Sequence, residues 1–306
     1  MMKYLRGLKG IVAALNTIMN EDGSLNEDGI RSLIRFNIEK GVHGLAATII
    51  AGEFYKLTDE ERKSVYDIVI DEADGKVPVL AGTSHTGTEP AIELSKYAKD
   101  AGADGVVVMP PYFGKAESSL YLYQHYSRIA DAVDLPVVIQ DSEEYSGIGL
   151  PTLLFSRLAK EHSNIFTIKV EGVRILEKIR EIRDVMGKDV VILGGTSAKL
   201  LLEELKVGAD GNMPGGCCLP EFLVEAFDKY RSGDIIGAEQ AFMRYKGWLD
   251  HVSLQPLMEI SLQKETLRLR GIISSAYVRG PRVEINDRHR SALKQILDGL
   301  GLIGKA

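Results

Sequence analysis

Short apolar runs rich in Val, Ile and Ala alternate along the chain with longer stretches whose apolar residues recur at helical spacing. The runs predict strands at 10–15, 44–50, 77–81, 105–109, 136–140, 165–169, 190–193 and 209–213. The longer stretches predict helices at 27–40, 59–74, 89–101, 118–133, 150–160, 173–186, 197–207 and 220–230. Within 89–101, for instance, Ile92, Leu94, Tyr97, Ala98 and Ala101 fall near one helical face. The strands are continuous apolar runs and not strict alternations, as expected of a parallel sheet covered on both faces. Thr58 with Glu61 three residues on is a capping-box pattern. Gly41, Gly102 and Gly208 stand where helices should stop. Three junctions read alike: Glu-Lys-Gly-Val-His-Gly at 39–44, Asp-Ala-Gly-Ala-Asp-Gly at 100–105 and Lys-Val-Gly-Ala-Asp-Gly at 206–211. Eight such units in about 230 residues predict an α/β fold, a (β/α)8 TIM barrel over 1–231, in preference to an open doubly wound sheet. No GxGxxG follows the first strand, which also counts against a dinucleotide fold. Beyond that the pattern changes to helices at 235–251, 255–269 and 287–297 without strands, which predicts a C-terminal helical domain over 232–306. Pro256 falls in the first turn of the second of these, where a missing N–H costs little.

Composition narrows the class of protein. At 306 residues, 45% hydrophobic and 26% charged, the chain has material for a large core. A formal net charge of −6 without an arginine-rich arm argues against nucleic acid or an anionic membrane as partner. The two cysteines, Cys217 and Cys218, are adjacent, so no disulfide framework and no Cys/His metal pattern is expected. No apolar run reaches the roughly 18 residues of a membrane span, and no signal peptide is evident, which leads to the expectation of a cytoplasmic enzyme.

Barrel enzymes work at the C-terminal ends of their strands. Lys169 ends the sixth predicted strand, carried out of the apolar run Phe166-Thr167-Ile168. A lysine amine withdrawn from water loses its charge more readily and can attack a carbonyl carbon. The same position equally suits a lysine that reaches a salt bridge with Glu171. Glu171 shares a face with Lys169 while the chain stays extended, and it can move protons next to an imine or serve only as an ion-pair partner. His85 after strand 3 can be a base or a hydrogen-bonding bystander. The glycine-rich turns after strands 7 and 8 suit a phosphate, a carboxylate, or simply a tight turn.

Several marks in order resemble the dihydrodipicolinate synthase/N-acetylneuraminate lyase superfamily over nearly the whole chain. They are Gly52-Glu53, Pro78-Val79-Leu80-Ala81-Gly82, Ala101-Gly102-Ala103-Asp104-Gly105, Pro111-Tyr112, Leu135-Pro136-Val137-Val138-Ile139, Ile168-Lys169 and Gly208-Ala209-Asp210-Gly211. The resemblance implies a barrel with C-terminal helices, often a homotetramer built as a dimer of dimers. It also implies an imine between Lys169 and pyruvate or another 2-keto acid, with no metal and no organic cofactor. Departures point within the superfamily. Ile50 and Ala51 replace two threonines, Phe113 a tyrosine, Gln140 the tyrosine that ends strand 5, and Tyr145 an arginine. These changes remove the proton relay and carboxylate holder of a dihydrodipicolinate synthase, and they leave sialic acid lyase activity without its tyrosine. Gln140-Asp141 with Lys169-Val170-Glu171 looks instead like the dehydratases of 2-keto-3-deoxy sugar acids, such as 2-keto-3-deoxyarabonate dehydratase. That resemblance implies Lys169 and Glu171 as catalytic residues. It also implies backbone N–H groups near Ala51 and Gly52 as carboxylate holders, and Gln140 and Thr196 as contacts for sugar hydroxyls. A retro-aldolase on a hydroxylated 2-keto acid, or a catalytically silent keto-acid binder, are the alternative readings.

Overall fold

The computed structural model describes residues 5–112, 118–253 and 258–303. Phe113 and Pro256, with the predicted helix start at 255, lie outside the described residues. Eight strands close into a barrel in sequence order, every neighbouring pair parallel: β1 Gly10–Ala14, β2 Gly44–Ala47, β3 Val79–Gly82, β4 Gly105–Val108, β5 Val137–Asp141, β6 Thr167–Val170, β7 Val191–Gly194 and β8 Gly211–Asn212. The barrel helices are α1 Glu27–Glu39, α2 Asp59–Ala73, α3 Thr88–Ala101, α4 Ser119–Ala132, the short α5 Glu143–Ser146, α6 Thr152–Glu161, α7 Ile175–Met186, α8 Leu201–Lys206 and α9 Pro220–Ser232. The C-terminal helices follow as α10 Ile235–Ser253, α11 Glu259–Leu269 and α12 Asp287–Gly299. No helix among the described residues is long and apolar enough to cross a membrane.

Alternation along the strands sorts side chains between two apolar layers. Val12, Ala14, Ala46, Leu80, Val107, Val138, Val191, Leu193 and Met213 fill the barrel interior, which Leu5 and Leu8 join. Val137, Ile139, Ile168, Val170 and Ile192 face outward into the helical layer. The same outer layer continues through Leu223 and Ala226 of α9 to Phe242 and Trp248 of α10 and Leu262 of α11. The C-terminal helices therefore share one apolar core with the barrel's outer ring.

The three similar junctions do one job. His43 Nδ1 accepts from the Ile11 N–H at 3.2 Å. Asp104 Oδ2 accepts from the Val79 N–H at 2.9 Å, and Asp210 Oδ2 from the Ile192 N–H at 3.0 Å. The residue ahead of each strand-opening glycine thus ties its strand to a neighbour near the N-terminal face, where barrel residues serve stability. Gly102 stops α3 at a φ of +101°, a conformation costly for any other residue. The capping box of Thr58 and Glu61 is present.

Two predicted elements are shorter than expected, one at its end and one at its start, and both matter for the pocket. The apolar run 44–50 reads as one strand, but β2 stops at Ala47, Thr48 turns to a φ of +49°, and Ile50–Gly52 form a 3-10 turn. Ile49 and Ile50 line a cavity instead of continuing the strand. The predicted helix 197–207 shortens to α8, because Thr196, Ser197 and Ala198 adopt left-handed backbone at φ values of 50°, 52° and 58°.

Candidate active site

Gln140 and Lys169 are register partners on β5 and β6, both pointing into the barrel above Val138. Lys169 is 2% exposed, and its Nζ lies 3.0 Å from Glu171 Oε1. Glu171 is further held by Gln140 Nε2, which donates to its Oε2 at 2.7 Å, and by the Thr196 N–H, which donates to Oε1 at 3.1 Å. Gly195 leaves room for it: a Cβ there would lie 2.4 Å from Glu171 Cγ. Burial by itself would push the Glu171 carboxyl up. The Lys169 ammonium, the Gln140 amide and the Thr196 N–H outweigh that and hold it below the usual carboxylate range. The amine and the carboxylate thus stand as a buried pair within proton-transfer distance, at the mouth end of the barrel.

The left-handed turn after β7 is held from several sides. Three successive non-glycine residues at positive φ cost about 1–2 kcal/mol each. Thr196 N–H is engaged by Glu171, Ser197 Oγ donates to Glu259 Oε1 at 2.6 Å, and Tyr245 Oη donates to Ser197 O at 2.8 Å. A strained segment fixed by that many partners is the sort found at working sites.

The cavity above the pair has a volume of about 380 Å³. Ile49, Ile50 and Ala51 form one wall, Lys169, Glu171 and Thr196 another, and Glu259, Gln263 and Arg282 reach in from the C-terminal segment. Asn16 Nδ2 donates to Ala51 O and to Gln263 Oε1, both at 3.0 Å, so one amide ties the β2 turn to α11. Glu53, which follows that turn, is wholly buried between Lys56 at 2.9 Å and Lys264 at 2.5 Å.

Ala51, Lys169, Glu171 and Thr196 all border the cavity. Two of the expected substrate contacts stand one step back. Gly52 lies behind Ala51, with its N–H closing the turn on Ile49 O at 2.9 Å and its carbonyl accepting from Thr17 Oγ1 at 2.7 Å. Gln140 sits behind Glu171 and braces it, because its amide is spent on that carboxylate. Asp141 points outward, as the next residue on a strand must, to Lys178 at 3.3 Å and the Leu150 N–H at 2.8 Å. His85 stays outside the cavity wall, its Nδ1 accepting from the Gly87 N–H. Cys217 and Cys218 are free and buried.

Sequence reasoning placed Ser197 only in the turn after strand 7, and it missed Asn16, Tyr145 as a wall residue, Glu259, Gln263 and Arg282. Among them only Glu259 and Gln263 carry a signal, helical i,i+4 spacing within the predicted helix 255–269. The structure buries that helix from Ser261 to Thr266.

Comparison with known proteins places this site in a family. Residues 7–300 match the model of the dihydrodipicolinate synthetase family. A DapA-like lyase of Thermofilum pendens, itself uncharacterized, is 34% identical over 96% of this chain and 97% of its own. A 4-hydroxy-tetrahydrodipicolinate synthase of Methanopyrus kandleri is 32% identical, covering 97% of each. The crystal structure of YagE, a prophage protein of Escherichia coli K12 in complex with pyruvate, superposes with a TM-score of 0.89 at 31% identity, covering 96% of this chain and 99% of that one. The curated description of YagE is a putative 2-dehydro-3-deoxy-D-gluconate aldolase. The chemistry common to the family is a covalent imine between a lysine and a keto acid, without metal or organic cofactor. The chain belongs to the dihydrodipicolinate synthetase family and is a lyase that works through a lysine Schiff base.

Proposed function

We propose that this lyase dehydrates a 2-keto-3-deoxy sugar acid, with Lys169 as the imine-forming amine and Glu171 as the proton carrier. The observation that carries the reading is the buried Lys169–Glu171 pair at 3.0 Å, backed by an amide at Gln140. Glu171 can take the proton from Lys169 and free the amine to attack the C2 ketone. Glu171 returns that proton to the C2 hydroxyl of the adduct, which leaves as water, so that Glu171 is a carboxylate again beside a protonated imine that acidifies the C3 hydrogens. Glu171 then removes one of them, and the C3–H electron pair forms the C2=C3 bond of an enamine. The enamine pushes out the C4 hydroxyl, which leaves as water with the proton that Glu171 holds. Hydrolysis of the resulting unsaturated imine returns the Lys169 amine, so the net change is one water lost from the acid.

A retro-aldol cleavage needs a base on the C4 hydroxyl. Gln140 cannot supply one, since an amide does not take up protons at neutral pH. The N–H of Ala51, at the opening of the 3-10 turn, is the proposed holder of the substrate carboxylate, and Thr196 borders the space for the sugar hydroxyls. A homotetramer is part of the proposal and is read by light scattering.

The test is borohydride reduction with pyruvate and with a panel of 2-keto-3-deoxy acids, followed by intact mass. Wild-type protein should gain the reduced adduct, and Lys169→Ala should gain none. Unmodified wild type refutes the imine on this chain, and labelling that survives Lys169→Ala refutes the residue. Products of unshortened carbon chain support dehydration, whereas pyruvate with an aldehyde supports the aldolase reading.

A further inference from the structure

Behind Glu171, on the far side of the turn after β7, lies a second carboxyl that the chemistry above does not use. Glu204 of α8 is 0% exposed and has no cation within ion-pair distance among the described residues. Its Oε2 accepts from Asn212 Nδ2 at 2.6 Å, while its Oε1 is buried without a partner. Asn212, also wholly buried, donates from the same Nδ2 to Gly195 O at 3.3 Å, and its Oδ1 is likewise unpartnered. The Gly195 carbonyl and the Thr196 N–H belong to one peptide unit. That unit is held at its oxygen by Asn212 and gives its N–H to Glu171.

Two adjacent glycines make the arrangement possible. A Cβ on Gly194 would lie 1.8 Å from Glu204 Oε2, and one on Gly195 would lie 2.4 Å from Glu171 Cγ. Each glycine hollows a niche for one carboxyl, on opposite sides of the same backbone. A buried carboxylate with one hydrogen bond and no counter-ion is costly, and a proton removes that cost. It also supplies a donor in a place where two acceptor oxygens lack one. The charges acting on Glu204 are Lys169 of β6, Glu171 just after it, and Glu203 of its own helix. Arg183 of α7 is engaged by Asp210, and Glu239 of α10 by Lys206.

We propose that Glu204 and Asn212 form a positioning pair that holds the Gly195–Thr196 peptide, and through it Glu171, with Glu204 uncharged while the enzyme works. Burial pushes its carboxyl up to about 8. Ionisation above that point places a second negative charge behind Glu171. The Lys169 ammonium then holds its proton more tightly, and the amine attacks more slowly.

The inference rests on the proposed roles of Lys169 and Glu171, and the two can fail separately. Borohydride trapping on Lys169 in the wild type reports on those roles alone. The pH profile of kcat/KM reports on Glu204. Wild type should show a descending limb with a midpoint near pH 8, and E204Q, which cannot ionise, should lack it. E204A, which strands the Asn212 amide, should lose about 10- to 100-fold in kcat with KM little changed. E204Q should recover most of that loss at neutral pH. A limb near pH 8 that is absent from wild type or persists in E204Q overturns the proposal, and so does wild-type kcat in E204A. If E204A does not fold, the E204Q profile decides by itself.

Discussion

The wall of the pocket built by β5, β6 and the turn after β7 carries its charged groups inside the barrel, whereas the wall built by α11 and the segment after it carries them at the rim. On the inner wall, Lys169 and Glu171 are pinned by register, by the Gln140 amide and by a backbone N–H. On the outer wall, Glu259 holds Ser197 Oγ and Gln263 Nε2, and Arg282 folds over Tyr277 and onto Glu284. The first wall has the fixed geometry that bond making requires. The second offers donors and acceptors to whatever extends beyond the reacting carbons. Substitutions on the inner wall should therefore cost rate, and substitutions on the rim should cost affinity or docking of the helices.

Glu171→Gln gives the largest effect short of removing the lysine itself. It keeps the size and one acceptor but carries no proton between amine, C3 and the leaving hydroxyl. Loss of a positioned acid–base group lowers kcat by about 10²- to 10⁴-fold. Borohydride trapping of pyruvate should continue at a slower rate, since the amine remains. If E171Q turns over like wild type, the carboxylate is a simple ion-pair partner. The acid limb of kcat/KM gives a second reading of the same group. Its carboxyl is lowered in the fold, so it stays ionised as pH falls to the ordinary value of 4.5, and activity should be lost only below that. An acid limb above pH 5 in the wild type would belong to another group.

The two walls were not equally legible in the sequence. Lys169 draws notice because it ends an apolar strand, but its position and that of Glu171 suit an ion pair as well as chemistry, and only the family resemblance favours the catalytic reading. The eight-strand alternation and the repeated junctions follow from period and punctuation, which are local properties. What stayed hidden depends on contacts distant in sequence. Ser197 meets Glu259 across 62 positions, and Asn16 meets Gln263 across 247. Local pattern also misreads backbone that only tertiary contacts hold in place. Thr196-Ser197-Ala198 has no glycine to announce left-handed turns, and Ile49-Ile50 is as apolar as any strand. Gln140 was readable as a departure but not as a brace, because its partner on the next strand is set by register.

Lys264→Met should damage the rim through stability rather than chemistry. Lys264 Nζ meets Glu53 Oε2 at 2.5 Å and donates to Tyr277 O at 3.0 Å, joining α11 to the β2 turn and to the C-terminal segment. Burial pushes its amine down, and the Glu53 carboxylate opposes that. Removing one partner of a buried pair typically costs about 3–5 kcal/mol, because the other charge is left behind. Lys56 still faces Glu53, so the lower end applies. The measurement is a urea midpoint at unchanged slope. A shift well under 1 kcal/mol would mean that Lys56 alone satisfies Glu53, and that the helices are docked by their apolar core.

Glu259→Gln is the smallest change and separates the two walls most cleanly. Ser197 Oγ donates to Glu259 Oε1 at 2.6 Å, and Gln263 Nε2 donates to the same oxygen at 3.1 Å, so the carboxylate steadies the strained turn from the rim. A glutamine keeps an oxygen for Ser197 but loses the charge that strengthens both bonds. That difference is worth about 1 kcal/mol, or roughly a fivefold rise in KM. The effect should grow with the length of the hydroxylated tail, since pyruvate ends at the reacting carbons and does not reach α11. A rise in KM confined to longer acids, with kcat and pyruvate trapping unchanged, marks the rim as the wall that measures substrate length. An equal loss for pyruvate would instead mean that Glu259 acts through Ser197 on the Thr196 N–H. It would then belong, in effect, to the inner wall, as a support for Glu171.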